Sequence, residues 1–366
     1  MSTALAGRSV HVVLPGDVDD ATVPSGGNIY DRRVCQGLAA AGRPVREITV
    51  AGAWPRPDEG ARAELARGLT ALADGAVVLI DGLVACGVPE IVVPQARRLR
   101  LAVLVHLPLA DETGIAPGPA RELDAAERAT LHAATAVLAT SPWAGRRLIG
   151  HHGLDPDRVH VVPPGTDPAP LAPGTDGVSR LICVAAVTPR KGQDLLVRAL
   201  GSLTDLPWSC VCAGTLSREP GYLARLRRLI GELGLDDRVL LAGPRTGELL
   251  ADTYAAADLA VLASRGETYG MVVTEALARG VPVLATAVDA VPETLGRAPG
   301  GDVPGLLVPP EDPVALADAL RRWFGDPALR ERLRTSARAR RGTLTGWDLT
   351  TRRLGEVLEG LRSPRA

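Results

Sequence analysis

The sequence has 366 residues, of which 46% are hydrophobic and 23% charged, and its formal net charge is −1 at pH 7. This length allows two domains of ordinary size with substantial cores. The charge balance argues against nucleic acid as the main partner, because a protein that binds many phosphates needs a basic excess. The 5 scattered cysteines argue against a disulfide framework and favour buried, reduced thiols in a cytoplasmic protein.

The sequence contains no apparent membrane segment. It has no run of about 18 apolar residues, the length expected of a bilayer-crossing helix. Its beginning, MSTALAGRSVHVVL, lacks both the charged start and the long apolar run of a signal peptide. We therefore expect neither a leader nor membrane association.

The first half of the chain predicts an alternating α/β domain. Residues 8–14 form a first buried strand, and a loop rich in Gly, Pro and Asp follows and ends with Ser-Gly-Gly-Asn at 25–28. The next helix carries Tyr30, Val34 and Leu38 on one face. Rossmann-like domains begin with such a strand, loop and helix, and ligands bind there at the carboxyl ends of strands. The loop lacks G-x-G-x-x-G, so a dinucleotide is not specified.

Polar residues follow the later apolar runs. His106 stands directly after the predicted strand at 101–105, where it is either a satisfied structural histidine or part of a site. Asp17 and Asp19 imitate a metal-binding D-x-D, but we interpret them as turn residues. We expect the adjacent histidines 151 and 152 at the surface. The other predicted strands of this half are residues 77–80, 136–139 and 159–162.

A linker and a second α/β domain follow. Proline and glycine occupy nearly every other place in residues 163–177. A loop with Arg190 and Lys191 joins a strand at 181–187 to a helix at 195–200. An amphipathic helix at 347–361 ends the chain. Further strands are predicted at 210–213, 239–242 and 305–308, and a further helix at 222–234.

The most informative stretch is SRGETYGMVVTEALARGVPVLAT, residues 264–286. It predicts a loop containing Glu267, a helix over residues 271–279, and a strand after Gly280. Glu275 stands among apolar helix residues, where a carboxylate usually needs a partner. The helix begins after Gly270 with free backbone N–H groups, which suit a phosphate. Two glutamates at this spacing are common, but the whole block is not.

This stretch resembles the donor-binding segment of the retaining glycosyltransferases of family 4. The match comprises E-x-Y-G from Glu267 and E-A-L-A-x-G-x-P-V from Glu275, the two parts in register. Lys191-Gly192 matches the K-G of that family, and VHVVPPGTD resembles the junction between its two domains. The resemblance spans nearly the whole chain, with its specific motifs concentrated in the second half.

The resemblance implies an α/β architecture of GT-B type: two Rossmann-like domains with a cleft between them and a C-terminal helix crossing back to the first domain. We expect an acceptor-binding domain at 1–165, a linker at 166–178, a nucleotide-sugar-binding domain at 179–345, and the returning helix at 346–366.

The resemblance also implies the roles of site residues. The first glutamate of the motif, Glu267, meets the donor sugar, and the second, Glu275, meets the nucleotide ribose. Fixed cations stabilise the charge that grows on the diphosphate as the glycosidic bond breaks. The catalytic residues implied are Glu267, His106, Lys191 and Arg190. The other donor-binding residues are Gly27, Pro244, Arg245, Thr268, Tyr269, Gly270, Met271 and Val272, and the acceptor-side residues are Gly26, Asn28 and His106.

One position departs from the family pattern. The family commonly has an arginine five places before the lysine of its K-G motif, and here that place is Ala186. Arg190 or Arg265 could take over its contact with the diphosphate, and the sequence leaves this choice open. No metal and no cofactor are expected if cations and a helix terminus stabilise the charge.

The predicted function is transfer of a sugar, with retention, from a UDP- or GDP-sugar to a soluble acceptor such as a sugar or a specialised metabolite. A nucleotide-sugar epimerase, a sugar phosphorylase and a transferase acting on a membrane lipid remain open. An oxidoreductase is disfavoured by the missing dinucleotide motif, and a non-catalytic module by the presence of Glu267, Glu275 and Lys191 together. The donor sugar, the base, the acceptor and the oligomeric state are not specified.

Overall fold

The computed structural model describes residues 9–362. The expectations for residues 1–8, including the missing signal peptide, and for residues 363–366 lie outside this range. The described chain forms two compact units. Unit 1 comprises residues 9–19, 26–165 and 347–362, and unit 2 comprises residues 20–25 and 166–346.

Unit 1 is built on a 6-stranded parallel sheet in the order β2-β1-β3-β4-β5-β6. Its central strands are predominantly apolar because helices cover both faces of a parallel sheet. The polar edge strand β2, with sequence VREITV, was not predicted. The strands are β1 Val10–Pro15, β2 Val45–Val50, β3 Val77–Asp81, β4 Arg100–Val105, β5 Ala136–Ala139 and β6 Val159–Val161.

The helices of unit 1 include the returning C-terminal helix. They are α1 Gly26–Ala40, α2 Glu59–Thr70, α3 Gly82–Ala85, α4 Pro89–Gln95, α5 Pro117–Ala133, α6 Pro142–His152 and, after the whole of unit 2, α14 Trp347–Gly360.

Helix α14 packs against α1, as the resemblance implied. Its buried Leu354 and Leu358 join the apolar cluster that contains Tyr30 of α1. The Thr351 side chain of α14 packs directly onto Gly37 of α1, where a Cβ would lie 2.1 Å from Oγ1 of Thr351. The C-terminal helix is therefore a component of unit 1.

Unit 2 repeats the architecture with a 6-stranded parallel sheet in the order β12-β11-β10-β7-β8-β9. Its central strand β10 was not predicted because it is only 4 residues long. The strands are β7 Arg180–Val184, β8 Ser209–Ala213, β9 Val239–Gly243, β10 Leu259–Leu262, β11 Val283–Thr286 and β12 Gly305–Val308. The helices are α7 Gln193–Gly201, α8 Pro220–Glu232, α9 Gly247–Ala255, α10 Met271–Ala278, α11 Val291–Leu295, α12 Pro313–Gly325 and α13 Pro327–Arg341.

The proline-rich segment 166–178 is held against unit 2. The backbone N–H of Ala172 donates to the carbonyl of Arg279, and that of Gly174 donates to the carbonyl of Ala255. Buried Asp258 accepts hydrogen bonds from the backbone and the hydroxyl of Thr175. These contacts fix the path of the segment despite its composition.

Two sequence-based expectations were wrong. Residues 26–28 were placed in a loop but form the first turn of α1. His152 was placed at the surface but is fully buried, and its Nε2 lies 3.2 Å from Glu127 Oε2.

Other expectations agree with the structure. All five cysteines are free and buried. Asp17 and Asp19 lie in the turn after β1, where Asp19 pairs with Arg32. Among residues 9–362 no helix combines the length and the apolarity needed to cross a membrane.

Candidate active site

Glu267 lies in the loop between β10 and α10 and is only 5% exposed. Lys191 Nζ lies 2.5 Å from its Oε1, the Ser264 hydroxyl donates to the same oxygen at 2.7 Å, and Arg190 Nη1 lies 3.9 Å from its Oε2. Burial opposes ionisation of Glu267, but the charges of Lys191 and Arg190 and the hydrogen bonds outweigh it and hold its pKa below the usual value. Glu267 is therefore a buried carboxylate flanked by two basic side chains, those of Lys191 and Arg190.

Lys191 is the only lysine among the 41 basic residues of the sequence. It ends a short 3₁₀ turn, Pro189–Lys191, that follows β7. Gly192 comes next with φ of +65°, and a Cβ there would lie 1.9 Å from the Ala263 carbonyl oxygen. Only glycine permits this approach. Lys191 is thereby brought from the end of β7 to Glu267, which follows the neighbouring strand β10.

The structure distinguishes the two arginines considered in place of Ala186. Arg190 Nη1 donates to the Gly266 carbonyl at 3.1 Å, beside Glu267. Arg265 forms two 2.9 Å hydrogen bonds with Asp194 and a 2.5 Å contact with Glu311. The pKa of Arg265 is raised, chiefly by its hydrogen bond to Asp194. Arg265 therefore pairs with Asp194 and Glu311, whereas Nη1 of Arg190 lies 3.9 Å from Oε2 of Glu267.

Asp289 fixes the backbone of the Glu267 loop, and sequence reasoning missed it. Its Oδ2 accepts the N–H of Glu267 at 2.9 Å, and the carbonyl of Glu267 accepts the N–H of Ala290 at 3.1 Å. Asp289 has φ of 48°, a left-handed conformation that a non-glycine residue rarely adopts. A local conformation of this kind marks a position that its surroundings over-determine.

Glu275 lies on α10 and is partly buried. Its Oε2 accepts a 2.7 Å hydrogen bond from the hydroxyl of Tyr254, which is 1% exposed. Burial raises the pKa of Glu275, and the Tyr254 hydrogen bond and the charge of Arg279 offset part of this effect. The expected partner of this carboxylate therefore exists and is a tyrosine.

Apart from Gly27, which lies on α1 of unit 1, the remaining residues predicted to bind the donor lie around the start of α10 and after β9 in unit 2. Helix α10 begins after Gly270 without a side-chain cap, so Met271 and Val272 form its first turn, next to residues 268 and 269. Pro244 and Arg245 follow β9. Arg245 Nη1 donates to the hydroxyl of Thr253, the neighbour of the tyrosine that holds Glu275.

His106 of unit 1 forms the second polar centre. It follows β4, and its Nε2 lies 2.9 Å from Asp31 Oδ1 and 3.5 Å from Asp81 Oδ2. Gly27 lies over the ring, since a Cβ there would be 3.2 Å from Cδ2 of His106. Gly27 and His106, both predicted from the sequence to be site residues, therefore lie side by side. Sequence reasoning missed both aspartates, although Asp81 ends β3 beside the strand that His106 follows.

The other acceptor-side residues form the beginning of α1. Gly26 is its first residue, and Asn28 Nδ2 donates to the carbonyl of Asp17 at 3.0 Å. Asn28 therefore joins the helix to the turn that follows β1.

Two groups of described residues place three potential metal-ligand atoms within 4.8 Å of one another. They are Asp31, Asp81 and His106, and, elsewhere in unit 1, Asp124, His151 and His152. In both groups an ion pair between a carboxylate and a histidine accounts for the clustering, so we assign no metal to either.

Two family models match this chain. The model described as Glycosyltransferase Family 4 matches residues 3–170, and the model described as Glycosyl transferases group 1 matches residues 175–340. The first covers most of the chain before the linker and the second most of the chain after it. The chain belongs to glycosyltransferase family 4.

Sequence relatives agree with this membership. The D-inositol 3-phosphate glycosyltransferase of Kineococcus radiotolerans is 36% identical over 276 residues, which are 69% of this chain and 63% of that protein. The protein of the same description from Xylanimonas cellulosilytica is 34% identical over 239 residues, 61% of this chain and 56% of that protein. The matches span less than two thirds of the length of these relatives.

Solved structures show the fold. Sucrose-phosphate synthase from Thermosynechococcus elongatus has a TM-score of 0.78 at 24% identity, covering 97% of this chain and 99% of that chain. Anabaena HepE in complex with UDP-glucose has a TM-score of 0.72 at 19% identity, covering 96% and 99%. With its two parallel α/β units and returning helix, the chain has the GT-B fold, as the resemblance implied.

Proposed function

We propose that this protein transfers a sugar, with retention of configuration, from a nucleoside diphosphate sugar to a small soluble acceptor. The observation that carries the proposal is the buried contact of Glu267 with Lys191, beside Arg190 and the start of α10. Anions are favoured at a helix N-terminus, and fixed cations stabilise a departing diphosphate. A UDP- or GDP-sugar fits best, and the complex of HepE with UDP-glucose supports this class of donor.

In this proposal unit 2 binds the donor. Glu275 accepts hydrogen bonds from the ribose, and Glu267 accepts them from hydroxyls of the transferred sugar. Lys191, Arg190 and the N–H groups of residues 270–272 contact the diphosphate. Their positive charge stabilises the leaving group more in the transition state than in the ground state, so no metal is required. The loop with Pro244 and Arg245 meets the base.

Unit 1 supplies the acceptor-side groups in this proposal, namely Gly26, Gly27, Asn28 and His106. The curated relatives are named for D-inositol 3-phosphate, a small polar acceptor, which supports a soluble acceptor of comparable character. Sugars and polyol phosphates are therefore the acceptors to compare directly.

Calorimetric titration with UDP, GDP, ADP and TDP, with NAD as control, tests the donor site. One nucleoside diphosphate is expected to bind, with affinity falling at least tenfold in Lys191→Ala and Glu275→Ala. Arg228→Ala, which removes an exposed cation from α8, is the matched control and is expected to bind as the unaltered protein does. Failure of every nucleotide to bind would refute the donor-site assignment.

Product analysis then tests the reaction. Transfer to an acceptor with the anomeric configuration of the donor supports the proposal. Turnover of the nucleotide sugar without an acceptor would instead indicate an epimerase, and turnover with inorganic phosphate alone would indicate a phosphorylase.

A further inference from the structure

The side chain of Arg265 joins three loops at the carboxyl end of the sheet in unit 2. Arg265 itself lies in the loop after β10 and is mostly buried. Its Nη1 donates to the carbonyl of Pro189 at 2.5 Å, in the 3₁₀ turn after β7 that carries Arg190 and Lys191. Its Nε lies 2.5 Å from Oε1 of Glu311, in the loop after β12. One guanidinium therefore braces the turn that carries the two cations assigned to the diphosphate.

Asp194, in the first turn of α7, holds this guanidinium in one orientation. Two hydrogen bonds of 2.9 Å join Nη1 and Nη2 of Arg265 to Oδ1 and Oδ2 of Asp194. Paired contacts of this kind fix the plane of a guanidinium as well as its position. Burial opposes ionisation of Asp194, but the hydrogen bonds from Arg265 and Tyr222 outweigh it and hold its pKa below the usual value. Asp194 is therefore an anionic partner of Arg265.

Tyr222 of α8 fixes Asp194 in turn. Its hydroxyl donates to Oδ1 of Asp194 at 2.7 Å and accepts the backbone N–H of the same residue at 3.0 Å. Tyr222 is 5% exposed, so its ring is held by the packing of unit 2. The partner of Arg265 is therefore itself anchored to a second helix.

Backbone contacts join the same two loops. The N–H of Arg265 donates to the carbonyl of Arg190 at 2.7 Å, and Nη1 of Arg190 donates to the carbonyl of Gly266 at 3.1 Å. With the hydrogen bond from Arg265 to Pro189, the turn after β7 is tied to the loop after β10 at three points. Two of these three contacts come from Arg265.

The donors of Arg265 are directed at the protein. A guanidinium has five N–H groups, and the contacts with Pro189, Asp194 and Glu311 occupy four of them. A direct hold on a diphosphate would require several of these contacts to break. The arrangement therefore favours an action of Arg265 on the loop over an action on the ligand.

We propose that Arg265 is a positioning residue that acts on the diphosphate through the turn carrying Arg190 and Lys191. This inference rests on the proposed function, in which those two cations contact the diphosphate. Because the turn is held in place before the donor arrives, binding does not have to order it, and the entropic cost of ordering is avoided. Loss of the brace is therefore expected to weaken diphosphate binding.

Calorimetric titration of Asp194→Asn distinguishes positioning from direct contact. This substitution replaces one acceptor oxygen with an NH₂ group that faces the guanidinium. A positioning residue then loses its anchor, so the affinity for the nucleoside diphosphate should fall by about tenfold. A direct ligand would instead be released from a competing carboxylate, and the affinity would stay the same or rise. Unchanged or tighter binding would overturn the inference.

Arg265→Lys separates geometry from charge. Lysine keeps the positive charge but lacks the planar fork that reaches Asp194 and Pro189 together. The affinity should again fall by about tenfold, whereas full retention would show that only the charge matters. The exposed pair of Arg321 and Asp205 supplies the matched controls, Arg321→Lys and Asp205→Asn, which should bind as the unaltered protein does. Equal losses in the controls would count against the inference.

A double variant tests whether Arg265 acts through the lysine. If it does, Arg265→Lys should cost less affinity in the Lys191→Ala protein than in the unaltered protein, so the two losses should not multiply. Losses that multiply would mean that Arg265 acts independently of Lys191, against the inference. Thermal unfolding verifies that each variant is folded.

The order of the turn is measurable without ligand. Because Lys191 is the only lysine, ¹⁵N-lysine-labelled protein has a single lysine backbone amide, which donates to the carbonyl of Thr188 at 3.1 Å. Its hydrogen exchange should be about tenfold faster in Arg265→Lys and unchanged in Arg321→Lys. Equal exchange in both would overturn the inference. If no nucleoside diphosphate binds the unaltered protein, the proposed function fails, and the exchange rate still decides whether Arg265 orders the turn.

Discussion

The ammonium of Lys191 lies 2.5 Å from Oε1 of Glu267, although 76 positions separate the two residues in the chain. The pair joins the loops that follow two neighbouring strands, β7 and β10. The pair therefore gives the buried Glu267 carboxylate and the partly buried Lys191 ammonium a partner of opposite charge. A diphosphate that reaches Lys191 replaces one anionic partner with another, so the lysine does not have to be desolvated at that moment.

Glu267→Gln is expected to lower kcat by about a hundredfold or more, because an interaction with the reacting sugar is lost. Binding of the nucleoside diphosphate should be unchanged or tighter, since Lys191 and Arg190 lose a competing anion. Steady-state kinetics and calorimetry measure the two effects separately. Glu232→Gln on the exposed face of α8 is the control. An unchanged kcat would contradict the role of Glu267.

The single lysine permits a direct chemical test. An amine-specific reagent should modify Lys191, and the modified peptide can be quantified by mass spectrometry. A saturating nucleoside diphosphate should slow this reaction at least tenfold, and the corresponding monophosphate should slow it less, because Lys191 is assigned to the diphosphate. An equal rate with and without the diphosphate would place Lys191 outside the donor site.

Asp289→Ala should reduce kcat by about tenfold or more, because misplacement of a catalytic group by about 1 Å is costly. The substitution removes the acceptor for the Glu267 N–H and places alanine at a left-handed φ. Asp289→Asn keeps an oxygen acceptor and tolerates that conformation, so it should restore most of the activity. Nucleotide affinity should change little in both variants. Equal losses in the alanine and asparagine variants would argue against this positioning role.

Glu275→Gln is expected to stabilise the protein while weakening nucleotide binding. Burial raises the folded pKa of Glu275 above 4.5, so ionisation opposes folding. This cost is absent below pH 4.5 and appears as the pH rises through the folded pKa. The variant should therefore have a Tm higher by about 2 °C at pH 8, with little difference at pH 4. A lower Tm at pH 8 would show that the carboxylate has stronger compensating contacts.

Gly37→Ala should destabilise the protein by about 1–3 kcal/mol, because its Cβ would overlap the Thr351 side chain on α14. Thr351→Ala removes the nearest atoms, so the double variant should lose less stability than the sum of the single variants. Chemical denaturation of the four proteins gives the coupling energy. Additive losses of stability would mean that the added methyl group at residue 37 does not clash with the Thr351 side chain.

The sequence predicted much of unit 2 because its motifs are local. The glutamates of the α10 region, Lys191-Gly192 and the helix that starts after Gly270 all follow from short segments. By contrast, β2 was missed because its charged residues obscure an edge strand, and β10 because it is only four residues long.

Long-range contacts account for the other omissions. Asp31 and Asp81 resemble ordinary helix and turn residues until the sheet brings both to His106. Likewise, the burial of His152 depends on Glu127, which lies on a different helix. Asp289 becomes significant only through its hydrogen bond to the backbone of Glu267. Such partners are set by tertiary structure, so local patterns do not reveal them.

The interruption of unit 1 by unit 2 has a consequence for synthesis. Unit 1 receives α14 only after residues 166–346 have been translated, so on the ribosome unit 2 can complete its own fold first. Until then α1 lacks the partner that covers Tyr30 and contacts Gly37. A nascent chain therefore exposes an apolar helix face for the time needed to make half the protein, and this is the interval in which a chaperone would protect it.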